Sequence, residues 1–292
     1  MAGYLGLRRE LSGRRFPVLL HMHASMRANM ASLMVRADVR LGFDNARARD
    51  RQWLFTNRKI PAQPEQHVMD GLFGFTETLG IKERTLRWDF PVSVPDRRLA
   101  EELKRDDHPL CVISPCTSQR FRNYRNWPVE NYIAVAENLN ANYGASVVLT
   151  GGPTDNEIAY GKKIQTATTF PVRNLIGKTS LKQLLAILET ADLLICPDSG
   201  PGHMATAVGT PVIGLYATSN THRTGPYFSQ HLVVDEYPEA VRREFGKPVS
   251  ALRWGQRVRD PNAMNLIRVD NVLKKIDSVL GSSAVASQSG LS

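Results

Sequence analysis

No apolar run in the sequence approaches the roughly 20 residues that a membrane-spanning helix needs. The N-terminal stretch MAGYLGLRRELSGRRF places its basic residues after a few apolar ones, which is not the layout of a secretory leader. A cytoplasmic protein is therefore expected. Cysteine is scarce: Cys111, Cys116 and Cys196 lie in or beside apolar, strand-like runs and show no paired metal-ligand spacing, so they read as reduced packing residues. With no DxD pair and no His/carboxylate cluster either, no metal and no cofactor is expected. The chain also lacks an RNA-binding signature and a helix-turn-helix pattern, so nucleic acid is not an expected partner. GKTS at 177–180 has the tail of a Walker A loop without its upstream glycines, which excludes ATP hydrolysis of that type.

What is present is an ordinary globular composition, 42% hydrophobic and 22% charged over 292 residues, long enough for two domains. The formal net charge of +9 favours an anionic partner such as a nucleotide or an acidic membrane surface.

Short β-branched runs alternate with amphipathic helical runs, the pattern of a parallel sheet covered by helices. In the C-terminal half, LCVISP, SVVLTGG, DLLICP and PVIGLY read as strands. Between them, WPVENYIAVAENLNANYG, PTDNEIAYGKKIQ, LKQLLAILETA and MATAVG read as helices, with Pro128 at a first turn and Gly144 as a stop. Such an alternation makes one doubly wound α/β domain. The first 90 residues are less regular: PVLLHMH and VRLGFD read as strands, SMRANMASLMVR and EQHVMDGLFGFTETLG as helices. Before PVLL there is only a basic, helix-like piece, as though the half began inside an α/β unit. The expected organisation is a domain over 1–95, a linker over 96–108 with a short helix, and a domain over 109–264. A C-terminal helix over 265–281 and a Gly/Ser/Ala-rich, disordered tail over 282–292 complete it.

Three stretches carry chemistry, each after a strand. In CPDSGPGH, Asp198 and Ser199 supply an acceptor and a hydroxyl, while Gly200 and Gly202 allow close backbone approach and His203 falls near a helix start. This suits a diphosphate, and equally a capped turn. SPCTSQRFRNYRNWP offers Thr117 and Ser118 with Arg120, Arg122 and Arg125, a set suited to phosphate oxygens or to a solvated basic loop. In LTGGPTDNE, Thr154, Asp155 and Glu157 follow two glycines, where a carboxylate could meet ribose hydroxyls or cap the helix, the cap being slightly favoured.

These residues, in this order, make the sequence similar to glycosyltransferase family 9, the ADP-heptose:lipopolysaccharide heptosyltransferases. DSGPGHMATAVGTPVIGLY matches the family's D-(T/S)-G-x-x-H motif with its small-residue helix and strand. TS…RNWP, LTGGPTDNE and LIGKTSLKQLLAIL support it, strongly over about 110–220, with LGFDNARARD and EQH as fainter matches earlier. The resemblance implies a GT-B fold of two Rossmann-like domains facing a cleft. It also implies inverting transfer of heptose from ADP-heptose to a Kdo-lipid acceptor at the inner face of the inner membrane. It assigns the donor to Thr117, Ser118, Arg125, Thr154, Asp155, Thr179, Asp198, Ser199, Gly200 and His203, and the anionic acceptor to Arg27 and Arg49. A longer loop after Ser118 would allow Arg120 or Arg122 to replace Arg125. The family's first strand, with the glycine-aspartate turn that carries the catalytic base, has no counterpart. The expectation is a shortened chain or a lost base, with Asp44 and His23 as weak substitutes whose residue types fit structural roles better. A nucleotide-sugar-binding protein without turnover and a transferase for another sugar nucleotide are the alternatives.

Overall fold

The computed structural model describes residues 2–104, 108–118, 122 and 124–281. Arg120, part of the expected linker and the whole expected tail lie outside them. The chain divides into two compact units, 1–86 and 87–292.

The first unit runs α1 (Ala2–Glu10), β1 (Phe16–Leu20), α2 (Met26–Ser32), β2 (Ala37–Gly42), β3 (Arg58–Lys59) and α3 (Val68–Thr78). Its three strands are parallel in the order β1-β2-β3. The core is small: Leu41, Ile60 and Phe75 are buried together, and Phe43 meets Phe75 edge-on at 5.0 Å between centroids. The strand read at VRLGFD lies earlier, at Ala37–Gly42, because Asp44 turns the chain. Its carboxylate accepts from Ala46 N (2.9 Å) and Arg47 N and pairs with the Arg47 guanidinium. The two-residue β3 carries no apolar signal, so nothing in its composition announces it.

The second unit continues with α4 (Val94–Glu101), β4 (Leu110–Ile113), α5 (Val129–Tyr143), β5 (Ser146–Leu149), α6 (Asp155–Ala167) and β6 (Arg173–Asn174). Then follow α7 (Leu181–Thr190), β7 (Leu193–Pro197), α8 (Gly200–Val208), β8 (Val212–Tyr216), α9 (Thr221–Thr224), β9 (Val234–Asp235), α10 (Tyr237–Phe245) and α11 (Val269–Ile276). All six strands are parallel in the order β6-β5-β4-β7-β8-β9, which within this unit is the doubly wound order 3-2-1-4-5-6.

Alternation along β4 shows why these runs are apolar throughout. Cys111 and Ile113 enter the core that α5 and α11 cover, whereas Leu110 and Val112 enter the one beneath α4 and α7. The first part of the expected linker 96–108 lies in α4, its short helix, which packs on α7 and buries Ala100 in the second unit's core beneath those two helices. On the other face of the sheet the C-terminal helix sinks Val272 and Ile276 into the core shared with α5, and buried Trp127 donates to Ile267 O at 3.0 Å. Among the described residues no helix is long and apolar enough to cross a membrane.

Candidate functional site

Parallel strands leave their carboxyl ends on one edge, and the topological switch point of a doubly wound sheet opens a crevice there. Here it lies between β4 and β7, which pair directly through Ile113 and Ile195. The loop after β4 is the arginine/hydroxyl stretch, and the loop after β7 is the Asp-Ser-Gly-Pro-Gly-His stretch. Two motifs 80 or so residues apart therefore share one crevice.

They also bond to each other. Arg125 Nη1 donates to Asp198 O (2.6 Å) and to Asp198 Oδ2 (3.1 Å). Asp198 is 6% exposed, and Ser219 Oγ, from the loop after β8, donates to the same Oδ2 at 2.7 Å. Its carboxylate is thus engaged inward, holding a cation and a hydroxyl, and it acts on the crevice through Arg125. Thr117 is buried; its N–H and Oγ1 both donate to Asn126 Oδ1 (2.9 and 3.2 Å), which closes the loop on itself. Ser118 is exposed next to it.

The helix after β7 begins earlier than its small-residue run implies. Gly200, Pro201 and Gly202 form the first turn of α8, with Ser199 at the N-cap. Proline is at home there because the first amides of a helix have no partner within it. Gly202 is tightly packed: a Cβ there would meet Cys196 Sγ at 3.2 Å. Among the described residues nothing lies within 4 Å of the Cβ position of Gly200, at the start of α8. Ser199 Oγ makes no cap and is buried beside the Cys196 thiol without a hydrogen bond of normal geometry. His203 is exposed on the next residues of the helix. The positive helix end, the Arg125 guanidinium and the exposed Ser118 thus lie on loops that share the carboxyl edge of β4 and β7, an arrangement suited to a multiply charged anion.

Further along the edge, the loops after β5 and β6 are joined. Gly177 N donates to Gly151 O (2.9 Å), and Gly177 lies against Pro153 at a positive φ of 73°. This brings half-buried Thr179 toward the loop of Thr154 and Asp155. Thr154 is the N-cap of α6, its Oγ1 accepting from Glu157 N, while the buried Glu157 accepts from Gly152 N at 2.8 Å. Cap duty therefore falls to the threonine and to Glu157, and Asp155 remains exposed in the first turn.

In the first unit, Arg27 and Arg49 are exposed. Met26 N donates to Asp50 Oδ2 at 2.8 Å, which sets their two segments side by side beyond β1 and β2. Asp44 is consumed by Arg47, and His23 is exposed with Nδ1 at 2.9 Å from Ser25 Oγ. Burial pushes the thiols of Cys111, Cys116 and Cys196 up to about 12, so all three stay protonated. Among the described residues no three His, Cys, Asp or Glu side chains converge as a metal site. Sequence reading missed the part of Asn126, which lies inside the RNWP stretch and accepts from Thr117, and it missed Ser219 and Arg257, which have no motif of their own and matter because the chain returns to this edge.

The family model for glycosyltransferase family 9 (heptosyltransferase) matches residues 4–253. The chain belongs to glycosyltransferase family 9. It is 38% identical over 271 residues to the lipopolysaccharide core heptosyltransferase OpsX of Haemophilus influenzae, covering 93% of this chain and 77% of that protein. Over 295 residues it is 25% identical to a lipopolysaccharide heptosyltransferase 3 of Escherichia coli, covering 97% and 81%. Among solved structures, a glycosyl transferase family 9 protein from Veillonella parvula superposes with a TM-score of 0.73 at 20% identity, covering 96% of this chain and 78% of that one. The E. coli ADP-heptose LPS heptosyltransferase II superposes with a TM-score of 0.65 at 20% identity, covering 96% and 80%. At those identities the likeness is one of fold, and it assigns this family 9 chain to the GT-B class with its parallel α/β units.

Proposed function

We infer that the protein is a glycosyltransferase that moves a heptose from ADP-heptose to the inner core of lipopolysaccharide. The observation that carries the reading is the β4/β7 switch point, where Arg125 and the start of α8 meet across two loops. The names of the similar proteins supply the sugar and the acceptor.

In this reading the donor lies along the carboxyl edge of the sheet. Its adenosine rests over the loops of Thr154, Asp155 and Thr179, and its diphosphate lies between Thr117, Ser118, Arg125, Ser199, Gly200 and the helix start near His203. Asp198 fixes Arg125 in place. The acceptor hydroxyl attacks the anomeric carbon opposite the diphosphate, the carbon–oxygen bond to ADP breaks, and a general base takes the hydroxyl proton. The negative charge gathering on the departing diphosphate meets donors that are already oriented, so little reorganisation is needed as the bond breaks. The reading uses no metal or cofactor. Arg27 and Arg49 face the anionic Kdo-lipid acceptor. The net charge of +9 favours peripheral contact with the acidic inner face of the inner membrane, from the cytoplasmic side.

The test is ADP release from ADP-heptose in the presence of a Kdo-lipid acceptor. Release that depends on acceptor supports the transferase. ADP-heptose binding without release would make the chain a binder, and turnover with a different sugar nucleotide alone would replace the donor.

A further inference from the structure

Asp198 gathers more than Arg125. After α10 the chain returns to the carboxyl edge of the sheet through 252–259. There Val258 N donates to Thr218 O (3.1 Å), and Arg257 forms an antiparallel bridge with Ser219. The return is fastened on its outer side as well: Tyr237 Oη donates to Gln256 O at 2.9 Å and Asn220 Nδ2 to Trp254 O at 3.4 Å. Held in this way, the Arg257 guanidinium comes within 3.8 Å of Asp198 Oδ2, the oxygen that already accepts from Ser219 and Arg125. Its side chain is about one-third exposed, whereas those of Asp198 and Arg125 are nearly covered, so it is the charged member of the cluster most open to solvent.

We propose that Arg257 is a second diphosphate-binding guanidinium of the donor site, set in place by Asp198 and by the backbone bridge to Ser219. The proposal rests on the nucleotide-sugar reading given above and adds to it a residue from a segment outside the motifs. One carboxylate stands among two guanidiniums, so the three ionised groups sum to +1, the sign that suits a departing diphosphate. The buried Tyr216 phenol registers the same grouping. Desolvation raises its pKa most and Asp198 raises it further, while Arg125 and Arg257 pull it down, so all these charges act on one small region. A guanidinium anchored through a carboxylate is oriented before the ligand arrives, which lowers the entropy that binding would otherwise cost.

Calorimetric titration of the full chain with ADP tests this in wild type, Arg257→Ala, Arg257→Lys and a surface control, Arg268→Ala, with a thermal melt of each. Loss of one charge-assisted contact predicts ADP binding weakened on the order of 10- to 100-fold in Arg257→Ala. Arg257→Lys should recover part of it, Arg268→Ala should match wild type, and ADP affinity should depend less steeply on salt in Arg257→Ala. Wild-type ADP affinity retained within about two-fold in Arg257→Ala would overturn the proposal while leaving the donor reading intact. Equal losses in the Ala and Lys variants, with equally lowered melting temperatures, would mark a structural arginine and overturn it too. A wild-type chain that binds neither ADP nor ADP-heptose would overturn the donor reading itself, and this proposal with it.

Discussion

Replacing Asp198 by asparagine keeps the side chain's shape and an oxygen for Ser219, and removes only the charge. The effect can be worked from the geometry. At 3.1 Å, and with an effective dielectric of about 20, the attraction between Asp198 and Arg125 is about 5 kcal/mol before the cost of desolvating both is subtracted. Side-chain exposures of 8% and 13% mean that water replaces little of it once the charge is gone. Breaking a buried pair from one side generally costs about 3–5 kcal/mol, and the retained Ser219 bond puts the expectation at about 3 kcal/mol. For a unit of this size each kcal/mol moves the melting temperature by about 2–4 °C, so scanning calorimetry should show a fall of roughly 6–12 °C. Arg125, no longer tethered, should also present its fork less often, and ADP affinity should fall by more than about ten-fold. A variant melting within about 2 °C of wild type and binding ADP equally well would refute the view that this carboxylate organises the crevice.

Other expectations follow from single contacts. Gly202→Ala should lose about 1 kcal/mol in denaturant unfolding, because its Cβ would press on Cys196 Sγ at 3.2 Å, whereas Gly200→Ala should fold as well as wild type. If the diphosphate approaches the start of α8, Gly200→Ala should still bind ADP more weakly. Trp127→Phe should cost about 1–3 kcal/mol, since the Nε1 bond to Ile267 O is lost and a buried carbonyl is left unpaired. The buried thiols remain protonated in the folded chain up to about 12 but ionise near 9 once unfolded. Between those values the unfolded state has released more protons, so stability falls as pH rises, by up to about 1.4 kcal/mol per pH unit for each thiol. Urea titrations at pH 8 and pH 10 check this, and the same thiols should resist a disulfide reagent at pH 8 until the chain is unfolded.

Local chemistry settled much of the molecule in advance. The strand-helix alternation from Leu110 to Tyr216 was legible because a strand covered on both faces must be apolar throughout, and because Gly144, with its φ of 61°, is an economical way to end a helix. The two loops stood out as candidates because hydroxyls, arginines and glycines follow strands there, although the same residues suited a capped turn and a solvated basic loop as well. The short strands β3, β6 and β9 were not legible: two residues carry no period, and only a neighbouring strand makes them part of a sheet. Nor was the early start of α8, where Pro201 and Gly202 read as a turn until Cys196 shows what the missing Cβ makes room for. Which loops share a crevice was decided by the strand order, which set β4 beside β7 across 80 residues of chain. The part played by Asp198 belongs wholly to the tertiary structure. As a letter it is an acceptor beside a helix start, and only when Arg125, Ser219 and Arg257 arrive from three distant segments does its charge have something to hold.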